Sequence, residues 1–410
     1  MTSKHRVNLL DLASAAVACT VTTSRVIRER NEDKNTRLKQ DGSFVTDADF
    51  AAQGVIVQAL HTVSDQIRIV GEESAAEMAQ HAPSSDVELF QADLLPRTRA
   101  ELRMRYGGET PEHWPLSRNA ATSAVAVISN SDTNAASDEH DWVVDASRVS
   151  VIVDPLDGTK SYAQGDYDCV SILIGIVVDN EPIFGVVGKP FGYTGLDPIL
   201  DSSCVTVYGG SLVKGVYVAG GEALIPKPIQ VDRGLDALPR AVISGSRSQG
   251  VVHDFCVHLG TQGLLHPEPM HVNGAGEKSL RVIFQRNNEA LWFFPKAGTS
   301  RWDVAASDAL LRALGGKLTD KYGREMDYSM SKEASENVDG VVCCIDKTLH
   351  SECIRLFQDG DWMERNIPDS ENNGHEDPRR SKVESWRASC DPDTVLTAFH
   401  YGIFSESAMF

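Results

Sequence analysis

Two aspartates held apart by a proline and a leucine, Asp154-Pro155-Leu156-Asp157, follow a largely apolar run from Val149 to Val153. Gly158-Thr159-Lys160-Ser161 comes next and predicts the start of a helix. Carboxylates at a strand end suit hard cations such as Mg²⁺. Free amides at a helix start suit phosphate. One short segment therefore offers both sites side by side, a pairing that points to metal-assisted phosphate ester hydrolysis. Carboxylates this close to a buried strand are costly unless a cation or donors offset the loss of water.

Three further acidic groups stand at predicted element ends: Asp47 and Asp49, Glu72-Glu73, and Asp303 after Trp302. Each has a plain structural reading of its own. Asp47 or Asp303 can serve only as a helix N-cap, and Glu72-Glu73 as a solvated turn. Other signals are weak. Gly274-Ala275-Gly276 lacks the third glycine of a dinucleotide fingerprint, and no clear strand is predicted before it. His266 and His271 flank Pro267 and Pro269, so they cannot share a helix face as zinc ligands. No Gly-x-Ser-x-Gly elbow occurs.

The elements that must position these groups can be read from periodicity. Residues 7–30 have helical spacing, with Asp11 interrupting an apolar segment that reads as a poor signal peptide and too short to span a bilayer. Phe44–Thr46 is extended, and Asp47 is placed to cap the helix through Leu60. Ile67–Val70 is a short strand. Residues 75–142 are polar and proline-containing, with helix expected near 86–105 and a solvated loop over 129–141; the block reads as a surface insertion. Strands then follow at 149–153, 170–178, 183–187, 205–208 and 213–218, with turn signals that predict an antiparallel sheet. From 239 onward strands at 241–244, 291–294 and 341–345 alternate with helices at 249–260, 274–284, 302–314 and 347–357. The fold class is thus α/β, with an α+β part over 1–238, an α/β part over 239–358 and a polar tail over 359–410.

At 410 residues the chain is long for one core, which favours two domains. A net charge of −19 argues against nucleic acid or an anionic membrane as partner, since both need a basic face. An anionic substrate would meet little attraction unless bound cations reversed the field locally. The eight cysteines include no Cys-x-x-Cys pair and are read as reduced core thiols, with a cytoplasmic location expected.

Taken in order, Gly71-Glu72-Glu73-Ser74, Asp154-Pro155-Leu156-Asp157-Gly158-Thr159 and Trp302-Asp303-Val304-Ala305-Ala306 resemble the lithium-sensitive, magnesium-dependent phosphatases of the inositol monophosphatase superfamily. The resemblance covers roughly residues 7–357. It is nearest to the 3′(2′),5′-bisphosphate nucleotidases, through Asp157–Tyr162, Gly165, the spacing to Val170, Gly185-Val186, Pro190-Phe191 and Gly274–Lys278. It implies a layered αβαβα sandwich of the inositol monophosphatase and fructose-1,6-bisphosphatase type. It implies two or three Mg²⁺ held by Glu72, Asp154, the Leu156 carbonyl, Asp157 and Asp303. Asp49 and Thr159 would orient or deprotonate the attacking water, with help from the dipole of the helix after Gly158. The Gly158 and Thr159 amides would hold the scissile phosphate, and Ser246, Gln249, Gly274 and Lys278 the nucleotide and its second phosphate.

The implied substrate is a small phosphorylated molecule, adenosine 3′,5′-bisphosphate or an inositol bisphosphate. The chain departs from the nucleotidase pattern where Gln249 stands in place of a frequent histidine. Inositol polyphosphate 1-phosphatases share several motifs but usually have serine at the Gly158 position. A binding protein without catalysis is the other alternative, and the full acidic set argues against it.

Overall fold

Asn8 ends a short strand and caps a long helix: its Oδ1 accepts from Leu10 N at 2.9 Å and Asp11 N at 3.2 Å. That helix runs to Glu29 and is apolar on nearly every face. Such a helix must be covered all round. A computed structural model of the chain shows how, and describes residues 6–39, 42–80, 89–91, 93–106, 143–193, 203–213, 215–220, 227–228, 238–329 and 335–362.

In chain order the elements begin with β1 (Arg6–Asn8), α1 (Leu9–Glu29), β2 (Arg37–Leu38), β3 (Phe44–Val45), α2 (Asp47–His61), β4 (Arg68–Gly71), α3 (Ala75–Gln80), α4 (Leu94–Tyr106) and β5 (Val143–Asp145). The central run is β6 (Val149–Asp157), α5 (Thr159–Gln164), β7 (Ser171–Val178), β8 (Glu181–Lys189), β9 (Val205–Gly210), β10 (Gly215–Gly220) and β11 (Lys227–Pro228). Then come β12 (Arg240–Ser244), α6 (Val251–Thr261), β13 (Met270–Val272), α7 (Ala275–Phe284), β14 (Glu289–Phe294), α8 (Arg301–Ala313), β15 (Lys317–Thr319), β16 (Val341–Cys344) and α9 (Lys347–Asp359).

Seven strands form one sheet in the order β11-β10-β9-β8-β7-β6-β4, and five form a second in the order β13-β12-β14-β16-β15. The larger sheet is antiparallel as expected, except that β4 lies parallel to β6. The smaller pairs β12 parallel to both β13 and β14. One apolar cluster joins α1 and α2 to one face of the larger sheet. A second joins its other face to α7, α8 and the smaller sheet. A third joins the smaller sheet to α6 and α9. The layers are therefore helix, sheet, helix, sheet, helix, the αβαβα sandwich.

One seam sets the position of α8. Gly175 and Gly185 face each other in register on β7 and β8. A Cβ on Gly185 would stand 2.0 Å from Ala306 O, and one on Gly175 2.7 Å from Ala305 Cβ. Glycine here lets the helix backbone rest directly on the sheet. Asp303 thereby comes to the end of β6.

Several expectations change. Thr46, not Asp47, caps α2; Asp47 is the first helical residue and pairs with Arg37 and Asn35. A strand, β13, does precede Gly274. At 21 residues α1 has the length and composition to cross a bilayer, contrary to the reading of its sequence, but it is mostly buried in the fold. The 75–142 block is not wholly peripheral: α4 packs on α1, Leu102 is fully buried and Arg99 pairs with Asp11. The 129–141 loop and the tail beyond 362 lie outside the described residues. The seven described cysteines are buried and form no disulfide among the described residues.

The α8 seam yields a stability test. Gly185→Ala meets backbone rather than a side chain that can turn aside, so a loss of about 3 kcal/mol, the upper end for overpacking, is expected in urea unfolding. A change below about 1 kcal/mol would show that α8 is free to shift.

Candidate metal and phosphate site

Strand β6 carries both aspartates, and its register with β7 shifts between Asp154 and Asp157. Within that irregularity Asp154 Oδ1 accepts from Leu156 N at 3.0 Å. Asp157 is held on both oxygens. Ser171 Oγ and Gly276 N donate to its Oδ2 at 2.8 Å each, and Ala275 N donates to Oδ1 at 3.0 Å. Two of those donors are the first amides of α7, where the helix dipole favours a carboxylate.

Asp49 and Asp303 are positioned by one device used twice. Each is the third residue of its helix and closes a capping box. Asp49 Oδ2 accepts from Thr46 N at 2.7 Å and Thr46 Oγ1 at 2.6 Å. Asp303 Oδ2 accepts from Ser300 N. Neither aspartate is the N-cap itself. In each, one oxygen serves the cap and the other is left for different work. For Asp49 that oxygen meets Thr159 Oγ1 at 3.1 Å, and Thr159 Oγ1 also lies 3.0 Å from Leu156 O. The Leu156 carbonyl, Thr159 and Asp49 thus form one chain of contacts.

Glu72 and Glu73 follow β4, with Glu72 N bonded to Val153 O at 3.0 Å. Gln53 grips the Glu73 backbone, accepting from its N at 3.0 Å and donating to its O at 2.7 Å. Lys39 Nζ bridges the two carboxylates, at 2.9 Å from Glu72 and 2.8 Å from Glu73. Glu72-Glu73 is therefore no solvated turn.

Ligand oxygens of Asp154, Asp157 and Asp303 all lie within 4.8 Å of one another. Crowding and burial act together on their acidity. Asp49 is pushed up to about 7, chiefly by burial and then by the Glu72 charge, against the pull of its Thr46 and Thr159 hydrogen bonds. Asp154 rises well above the ordinary carboxylate range through burial and the charges of Glu72, Asp157, Asp303 and Asp49. Asp303 rises through burial and Asp157. Such a group of all-oxygen donors, without histidine or cysteine, fits a hard divalent cation.

The phosphate side is built from two turns. Gly158 has φ +85°, and a Cβ there would stand 3.1 Å from Cys169 O. The helix it opens, α5, has only six residues, so its dipole is weaker than the sequence implies. Gly274 abuts Asp157: a Cβ would lie 3.1 Å from Asp157 Oδ2 and 2.4 Å from Cys169 O. Lys278 is buried, donates to Gly274 O at 2.7 Å, and sits over the Trp292 ring. Burial lowers its pKa, opposed by the charges of Asp157 and Asp303. Ser246 and Gln249 are exposed after β12, and among the described residues no hydrogen bond ties either to the acids.

The structure adds residues that the sequence does not single out. Lys39 and Ser171 touch Glu72 and Asp157 directly. Arg247 stands between Ser246 and Gln249, donates to Gly298 O at 2.7 Å, stacks on Phe294 and is felt by Lys278. Its place inside the Ser246–Gln249 segment is the available signal. For Lys39 and Ser171 there is none, because only the fold brings them to the acids.

Comparison with known proteins places these features in a family. The profile of the "Inositol monophosphatase family" matches residues 116–360. The chain is 25% identical over 355 residues to "3′(2′),5′-bisphosphate nucleotidase 1" of Dictyostelium discoideum, covering 86% of this chain and 97% of that protein. It is 32% identical over 180 residues to the protein of the same name from Homo sapiens, covering 43% of this chain and about half, 52%, of the human protein. Among solved structures, the extragenic suppressor protein suhB of Bartonella henselae shares the fold with a TM-score of 0.52 and 14% identity, over 85% of this chain and 99% of that one.

The raised carboxyls make a pH test. In the folded protein without metal they keep protons that the unfolded chain releases near 3.8. Stability is therefore present at low pH and lost as pH rises through about 7. A bound divalent cation favours the ionised acids and offsets that loss. The rise in Tm on adding Mg²⁺ should accordingly be small near about pH 5.5 and larger near about pH 8. A rise that is equal at both would mean that these acids do not meet the ion.

Proposed function

This chain belongs to the inositol monophosphatase family, and on that premise we propose that it is a magnesium-dependent, lithium-inhibited phosphomonoesterase that removes the 3′-phosphate of adenosine 3′,5′-bisphosphate. The observation that carries the reading is the close meeting of Asp303 with the buried Asp154 and Asp157 beside the Asp49–Thr159 pair. The nucleotide substrate is supported by the names of the relatives and by the cationic groups on the α7 side of the acids.

Glu72, Asp154, the Leu156 carbonyl, Asp157 and Asp303 would hold the ions. When bound, divalent cations supply positive charge to both the attacking and the leaving oxygen of a phosphate ester. The chain's own part is to place the reactants. Thr159 Oγ1, backed by Asp49, holds the attacking water in line with the ester. Asp49, whose Oδ1 faces Thr159 Oγ1 at 3.1 Å, is placed to take its proton. The Gly158 and Thr159 amides cradle the scissile phosphate. Lys278 and Arg247 bind the second phosphate, and Gly274 contacts the nucleotide. No covalent phosphoenzyme is required.

Phosphate release from adenosine 3′,5′-bisphosphate, its sulfated form, inositol bisphosphates and fructose 1,6-bisphosphate, with Mg²⁺ and with or without Li⁺, tests the reading. Fastest turnover of an inositol bisphosphate would overturn the nucleotide assignment. Asp157→Asn should lower kcat by about a hundredfold or more, because a cation ligand and the anchor of three donors change together. Activity within about tenfold of wild type at saturating Mg²⁺ would contradict that role. Lys278→Ala should raise KM for a bisphosphate far more than for a monophosphate, and equal effects would remove Lys278 from the second phosphate's site.

A further inference from the structure

The carboxylate of Asp157 depends on a seam between two parts of the chain. One side is the segment Asp168–Ser171, which supplies Ser171 Oγ. The other is the start of α7, which supplies two amides. The sides are in close contact: a Cβ on Gly276 would stand 2.2 Å from Ser171 Oγ, and one on Gly274 2.4 Å from Cys169 O. A small slip of α7 would therefore move the donors that fix Asp157.

Lys189, the last residue of β8, spans this seam from behind. It is 1% exposed. Its Nζ donates to Asp168 O on one side and pairs with Glu277, in the first turn of α7, at 2.8 Å on the other. Glu277 is 2% exposed and is also held by Arg281 at 2.9 Å, one turn further along α7. Lysine and glutamate are almost never buried to this degree unless paired. Such a pair adds little net stability over an apolar pair of similar volume, so its use points to specificity of geometry.

We propose that Lys189 and Glu277 form a buried ionic tie that fixes the register of α7 against Asp168–Ser171 and thereby holds Asp157 ready for a cation. Both are positioning residues: they act through the α7 backbone and the Asp168 carbonyl. The inference rests on the metal-dependent reading above.

Mn²⁺ binding to the full chain, followed by electron paramagnetic resonance below the unfolding transition, tests it, with Mn²⁺ standing in for Mg²⁺. The double variant Lys189→Met/Glu277→Leu replaces the pair by apolar side chains and should keep a Tm near that of wild type. Its Mn²⁺ affinity should fall about tenfold or more, the scale for partners behind a metal ligand. Without metal, the Ala275 and Gly276 amides should exchange faster than in wild type. Affinity within about threefold of wild type would overturn the tie. Should that variant fail to fold, Glu277→Gln, which keeps the shape and an acceptor for Lys189, carries the same expectation and the same refutation. Wild type that binds no Mn²⁺ at millimolar concentration would end the metal reading and the tie with it. Wild type that binds while the variants are unaffected ends the tie alone.

Discussion

Mutual repulsion among carboxylates gathered at the ends of β4 and β6 is the constraint to which the surrounding structure answers. Asp49, Asp154 and Asp157 are nearly inaccessible to water, and Glu72 adds its charge beside them. In a medium of low polarisability such a group is expensive unless its charge is met. The protein meets it only in part. Lys39 serves Glu72 and Glu73, backbone amides serve Asp157, and Lys278 is near enough to feel Asp157 and Asp303. The raised pKa values of Asp49, Asp154 and Asp303 reflect burial first and then the charge that is left over. That remainder is what a divalent cation would neutralise, which ties affinity for the ion to folding itself.

Holding like charges together requires that each be fixed by something other than its neighbours. Capping boxes do this for Asp49 and Asp303, so that forming α2 and α8 and aiming their acids are one event. The same logic explains the small residues along the α8 seam. Gly175 and Gly185 bring the Ala305-Ala306 backbone onto the sheet, and without that approach Asp303 would not reach the end of β6. Packing and chemistry are set by the same contacts.

This division also explains what can be read from the sequence. Strand β6, helix α8 and the acidic motifs are local patterns, legible in a few consecutive residues; the layered fold and the oxygen-rich cluster follow from the family resemblance that these motifs carry. The strand β13 escapes because three residues carry little periodicity. Thr46 is missed as the cap because Asp47 beside it is an equally good capping residue. Lys39 meets Glu72 across 33 positions, and Lys189 meets Glu277 across 88. No local pattern records such ties. Helix α1 is read as a helix, and only its apolar length is underestimated: Asp11 breaks the run in sequence, yet in the fold it lies where Arg99 can pair with it.

The Thr159 hydroxyl shows how these constraints converge. It has one proton and two acceptors within reach, Leu156 O at 3.0 Å and Asp49 Oδ1 at 3.1 Å. Asp49 Oδ2 is already committed to the Thr46 cap, so Oδ1 is the oxygen it can offer. If the Leu156 carbonyl turns its lone pairs to a cation, the hydroxyl proton is left to Asp49, and the oxygen of Thr159 presents its own lone pairs as an acceptor for water. Occupancy of the carbonyl would then orient the hydroxyl, with no movement of the backbone. The capping box that starts α2 is what keeps Asp49 in place to receive that proton.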